Sequence, residues 1–289
     1  MDDFELFEIP RENKTEVLLN KNCKKLLKEI KKLYLFFDDF LTLANCRNFC
    51  ITRKNKKINS IKGITFLNPN IIINSSLRTL YSIYSCCEHA NFSDAYCLMR
   101  KYRDDLFFYL YIILISHETN IFNGKELSKE ENIINKWIAD KLSHLNIEDI
   151  LSYISKSDIT KEAIEKYNFN DTFKKISKKL NNYVHGNGIG FYNMHLWSYK
   201  DKEIANISCD IIYNLQYITT TFIFILTLIS QISIMSDDYI DALDFEGNKV
   251  EGTQYYVAPF INEFMNKNKS LLDENCIEYL KEKTGMLFE

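Results

Sequence analysis

No charged side chain stands between Ile211 and Ser236, in the run IIYNLQYITTTFIFILTLISQISIMS. A run of that length forms a long helix that has to be hidden from water. It belongs either at the centre of a helical bundle or in a bilayer, which takes about 20 apolar residues to cross. The polar residues of the run decide between the two. Gln216, Thr220, Thr227 and Gln231 recur at steps of four, seven and four and so line one stripe of a helix. Lipid offers such a stripe no partners, whereas a protein interior does. The segment is therefore expected in a core, with no membrane span.

The remaining sequence supplies helices to surround it. Glycine and proline number only 8 and 3 in 289 residues, too few for the tight turns of an all-β chain. With 46% hydrophobic and 26% charged residues, a sizeable core is within reach. Apolar residues at three- and four-residue steps predict a helix over Thr15–Cys46, with lysines on its outer face. Further helices are predicted from Ile71 to His89 and from Asp94 to Ser116, with Ser93 as N-cap of the latter. Shorter ones follow near Glu126–His144, Ile147–Ser155 and Thr160–Tyr167, and another starts at Asp171. The fold class is all-α, a multi-helix bundle. Residues 1–70 read as an N-terminal helix and a basic connection. Residues 71–236 read as the bundle and 237–289 as a helical tail packed on it.

Several chemistries find no support. The cysteines, 8 in all, include no C-x-x-C pair, and no cofactor or metal is expected. Phosphate-loop, dinucleotide, zinc-protease and nucleophile-elbow motifs are absent. The start, MDDFELFEIP, is acidic where a secretory leader would be basic, so reduced thiols and a cytoplasmic location are expected. His89, His117 and His144 are isolated. His195 and Trp197, like the TQYYVAPFINEF segment, read as packing residues.

One stretch concentrates the polar chemistry: KKLNNYVHGNG, Lys178 to Gly188. Gly186 directly after the last helical residue can close a helix in the left-handed conformation. A histidine in that last turn suits the helix dipole. The same geometry places Asn181 and Asn182 beside His185, four and three residues away on a helix, with Lys178 and Lys179 one to two turns back. An imidazole, amides and an ammonium on one face can cut RNA without a metal. The histidine moves the proton, the amides hold the phosphate and the lysine offsets its charge. Arg100 and Arg103, with Asp104, form either a buried ion pair or a phosphate grip. The basic connection Arg53–Lys62 is either a solvated loop or a track for an RNA backbone, although the net charge is −3.

The Asn-Asn-Tyr-Val-His segment, late in an all-helical chain, resembles the motif of the HEPN superfamily. These are helical-bundle domains found in prokaryotic toxins, abortive-infection proteins and CRISPR-associated ribonucleases. The stretch CEHANFSDAYCLMRKYRDDLFFYLY, Cys87 to Tyr111, also looks like the arginine-bearing helix of HEPN-like families linked to phage defence. The resemblance runs from about Ile71 to Met235. It implies a metal-independent endoribonuclease acting as a homodimer with a composite site, and a partner or antitoxin protein. By resemblance, His185 is the acid/base, Asn181 and Asn182 position the phosphate, and Lys178, Lys179, Arg100 and Arg103 bind the RNA. Where the family motif carries an arginine, this chain has Lys178, Lys179 or Leu180. Lysine keeps the charge but lacks the planar fork. A non-catalytic module that binds RNA, a nucleotide or a protein and regulates a neighbouring enzyme is the alternative.

Overall fold

The computed structural model describes residues 18–45, 47, 50–54, 63–119, 126–142, 145–187, 189, 192, 199–246 and 256–288. Among them are eleven α-helices and one two-stranded sheet: α1 (Lys21–Ala44), β1 (Cys50–Arg53), β2 (Ile64–Leu67), α2 (Asn70–Glu88), α3 (Phe92–Glu118), α4 (Lys129–Ile138), α5 (Ile147–Lys156), α6 (Lys161–Lys166), α7 (Phe169–Val184), α8 (Asp201–Ile229), α9 (Asp237–Glu246), α10 (Pro259–Asn268) and α11 (Cys276–Thr284). The all-α bundle is therefore observed.

Helix α8 contains the uncharged run as far as Ile229, where Ser230 ends it and Gln231 enters a short 3-10 turn, and it is long and apolar enough to cross a membrane. In its most apolar window 83% of the residues are buried within the protein. Its polar stripe is satisfied locally. Thr220 and Thr227 donate their hydroxyls to the carbonyls of Gln216 and Ile223, at 2.7 and 2.8 Å. Gln231 reaches back to the Thr227 carbonyl, and Gln216 reaches Glu29 on α1. Each hydroxyl spends its proton on its own helix, so the stripe costs little to bury.

Two long helices form the centre. α3 packs against α2, α5, α7 and α8, and α8 also packs against α1, α10 and α11. Where α1, α3 and α8 meet, Phe37, Phe40, Tyr102, Tyr109 and Phe222 make edge-on and tilted ring contacts at 5.7–6.5 Å. Each ring is fully buried and removes apolar surface equivalent to roughly 1.5–3 kcal/mol. The Tyr102 hydroxyl lies 2.6 Å from Thr219 Oγ1. Thr219 donates to the Leu215 carbonyl, so Tyr102 is the donor of that pair.

The sequence boundaries shift at several places. The N-cap of α3 falls on Asn91, and Ser93 sits in the first turn, where its hydroxyl donates to Asn91. The predicted Glu126–His144 helix shortens to α4, because Ser128 and Glu131 close a capping box at its start. His144 lies outside the described residues, as do His195 and Trp197.

The basic connection is structured at both ends. β1 and β2 pair antiparallel, with Cys50 opposite Leu67 and Arg53 opposite Ile64. Arg53 is buried, and its Nε and Nη2 donate to the two carboxylate oxygens of Glu131 at 2.8 and 2.7 Å. An arginine so paired anchors α4 to the hairpin and cannot track an RNA backbone. Lys54 is exposed, and Lys56, Lys57 and Lys62 lie outside the described residues.

Candidate functional site

Helix α7 is built by a simple apolar spacing. Phe169, Phe173, Ile176 and Leu180 fall at steps of four, three and four and are all buried, against α3 and α6. Lys174, Lys175 and Lys178 are left on the outer side. The helix starts after Asn168, which adopts a left-handed conformation at φ 50° that asparagine tolerates. It ends at Gly186, at φ 59°. The Gly186 amide bonds the Tyr183 carbonyl and the Asn187 amide bonds the Asn182 carbonyl, at 3.3 and 2.9 Å. Two of the helix's terminal carbonyls are thereby satisfied, in a Schellman closure. His185 becomes the capping residue and is exposed, as is Asn182. Asn181 is half-buried, and its Oδ1 is sealed from solvent with no hydrogen-bond partner. The structure thus places the three predicted catalytic residues on one helix end, with His185 at its rim.

Lys178 and Lys179 separate. Lys178 is exposed and in no ion pair among the described residues. Lys179 pairs with Asp210 of α8 and lies 5.5 Å from the Tyr96 ring centroid. Tyr96 of α3 donates its hydroxyl to the same carboxylate and stacks on Tyr183. Burial, followed by the Asp210 charge, pushes the Tyr96 phenol far above its ordinary value, so it remains a donor. Asp210 therefore ties α3 and α7 to α8 one turn before the helix end, and the Lys179 ammonium is paired there.

Of the two arginines, Arg103 lies against α7 and away from solvent, whereas Arg100 is half-buried. Arg103 is fully buried. Its Nε and Nη2 donate to Asp104 Oδ1 at 2.8 and 2.6 Å, and Nη1 donates to Ser177 Oγ of α7 at 2.7 Å. Arg100 approaches Asp104 Oδ2 at 3.7 Å. Burial pushes the Asp104 carboxyl above its usual range, while Arg103 and Arg100 pull against it. Arg103 thus orients α7 by way of Ser177 instead of presenting its guanidinium to a ligand.

Alongside α7 runs a groove of ≈ 890 Å³, formed with α5 and α6. Lys156, Lys161, Lys174 and Lys178 line it against two acids, Glu148 and Glu165. The only ion pair of these six among the described residues is the exposed one between Lys174 and Asp171, at 3.9 Å, which contributes little. Ser177, Asn181 and Asn182 also line the groove, and His185 follows Asn182 within a turn. The far wall is held by Glu118 at the end of α3, which accepts hydrogen bonds from Tyr153 and Ser157. No group of three or more metal-binding side chains occurs among the described residues.

Sequence reading missed Asp210, Tyr96 and the lysines of α5 and α6. Asp210 carried a faint signal, as the last charge before the uncharged run. The lysines of α5 and α6 carried none, because only the packing of these short helices brings them to α7. No family model, curated protein or solved structure matches the chain.

Proposed function

We propose that the chain is a HEPN-like helical bundle that binds RNA along the α5–α7 groove and cleaves it without a metal at the His185 end of α7. What carries the reading is the exposed His185 at the end of a groove with more lysines than acids. Lysines there attract phosphates. Asn182 is exposed one turn from the histidine and can hold a scissile phosphate. The histidine accepts the proton of the RNA 2′-hydroxyl as that oxygen attacks phosphorus. The bond to the 5′ oxygen breaks, and the leaving oxygen takes up a proton. Cleavage of this kind needs a base and an acid. Among the described residues one chain offers a single histidine at the site, and two copies meeting at the ends of their α7 helices supply both. The products are a cyclic phosphate and a 5′-hydroxyl end.

The test is cleavage of labelled RNA by the purified protein in the presence of a chelator. His185→Ala, at an exposed position, keeps the melting temperature and loses cleavage by at least 100-fold. Undiminished cleavage by that variant removes His185 from the reaction.

A second reading is a module that binds RNA without cutting it and regulates a neighbouring enzyme. The commitment of Lys179 to Asp210 and of Arg103 to Asp104 and Ser177 favours it, since both cations are drawn away from a scissile phosphate. Binding by the wild-type protein with no cleavage of any RNA offered distinguishes it from the first.

A further inference from the structure

We propose that the outer face of α1, together with Tyr34, Tyr81 and Tyr84, is a separate docking surface for single-stranded nucleic acid. The inference takes its ligand class from the ribonuclease reading, but it rests on different residues. At 100° per residue, Lys21, Lys24, Lys25, Lys28, Lys31 and Lys32 fall within about a third of the α1 circumference. From Lys21 to Lys31 they extend over about 15 Å. Among the described residues only Lys32 of the six is ion-paired, with Glu29 at 2.6 Å. Asp38 and Asp39 are exposed on the same helix and close the stripe at its C-terminal end.

Beside the stripe, α1 and α2 leave a groove of ≈ 350 Å³ lined by Ile30, Lys31, Tyr34, Leu80, Tyr81 and Tyr84. Tyr81 is 65% exposed, and the next turn of α1 presents Leu35, 51% exposed. Arg78 of α2 is exposed one turn before Tyr81. Exposed aromatic and apolar groups beside a row of cations suit a ligand that is both flat-faced and anionic. Single-stranded nucleic acid is such a ligand: its phosphates follow the lysines and its bases stack on the tyrosines. A duplex hides its base faces and an acidic peptide carries no row of aromatic planes, so neither uses both halves of the surface.

The experiment measures anisotropy of a short labelled oligouridine with the full chain carrying His185→Ala, which prevents cleavage of the probe. Tyr81→Ala is expected to weaken binding about tenfold. Lys28→Glu with Lys31→Glu is expected to weaken it further and to flatten its dependence on salt. All three positions are exposed, so the melting temperature should not move. Unchanged affinity in both variants overturns the proposal. So does a loss confined to Lys156→Glu with Lys178→Glu in the other groove, a result that leaves the ribonuclease reading standing. Binding of phosphatidylserine vesicles or polyglutamate in place of the oligouridine also overturns it. If the α1 variants lose binding while the wild-type chain cuts no RNA, the docking surface stands and the ribonuclease reading falls.

Discussion

Tyr96 lies flat on Tyr183, with ring centroids 4.3 Å apart and planes 9° from parallel, so α3 holds the last turn of α7 by a face. The contact is locked from behind by Asp210, which accepts from Tyr96 and pairs with Lys179. Two of the five residues between Lys179 and Tyr183, its first and last, are thus fixed to other helices. Asn182 and His185 have rigid support while remaining exposed themselves. Site residues held this way are pre-organised by their neighbours.

A ranking of stabilities follows. Tyr96→Ala removes a buried ring and its stacking on Tyr183 and should cost about 3–5 kcal/mol. Asp210→Asn keeps the shape and an acceptor for Tyr96, and it removes only the attraction to Lys179. That pair is about a third exposed on each side, so the loss should stay below about 1 kcal/mol. Denaturant unfolding measures both. An Asp210→Asn cost as large as that of Tyr96→Ala would mean that the charge, and not the ring, holds the helix end.

Gly186 should tolerate no ordinary side chain without loss. Its φ of 59° is open to glycine, but it costs an L-residue about 1 kcal/mol. Gly186→Ala should lower stability by that amount, and Gly186→Asn by less, since asparagine enters the left-handed region more readily. Equal stability of all three chains, measured by thermal melting, contradicts the helix closure described above.

How far the sequence could be read differs between the fold and the site. The helices were legible because their apolar residues recur at the helical period and because glycine and proline are rare. The helix end at Gly186 was legible too, since a glycine after a polar helical turn has one common use. The fate of the charged residues was not. Arg103, Lys179 and Arg53 look alike as sequence, each a cation near other charges. Their roles are set by Ser177, Asp210 and Glu131, which lie 74, 31 and 78 residues away along the chain. Ser128-x-x-Glu131 was a readable capping box, yet nothing local revealed that the same carboxylate also receives Arg53. The hairpin went unseen because its strands, CITR and ITFL, are only four residues each and do not alternate strictly between apolar and polar residues.

Arg103 and Lys178 should therefore separate in experiment. Arg103→Lys leaves a charge but not the fork, so Asp104 and Ser177 lose bonds inside the protein. The expected cost is about 1–3 kcal/mol of stability. Lys178→Ala, exposed in the groove, should leave stability within about 0.5 kcal/mol and weaken RNA binding severalfold. Melting temperature and oligonucleotide affinity, measured on both variants, give opposite patterns. An Arg103→Lys chain that is fully stable but deficient in RNA binding would show that the guanidinium reaches the ligand after all.

The Arg53–Glu131 pair predicts how stability depends on acid. Burial alone would raise the Glu131 carboxyl. The hydrogen bonds from Arg53 and from the Ser128 amide outweigh it and hold the group below its ordinary value. The folded chain thus binds this proton less readily than the unfolded chain. The stabilisation is complete above the unfolded value of about 4.3 and is lost as the pH falls through the lower folded value. Glu131→Leu leaves Arg53 buried without its partner and should cost about 3–5 kcal/mol at neutral pH. Arg53→Met combined with Glu131→Leu removes both charges and should cost less than Glu131→Leu alone. Urea unfolding between pH 3 and 7 measures all three chains. The wild type should lose stability below about pH 4 more steeply than the double variant, because only the wild type has this carboxylate to protonate. Parallel acid profiles for the two would show that Glu131 titrates as an ordinary surface acid, and that the pair does not hold α4 to the hairpin.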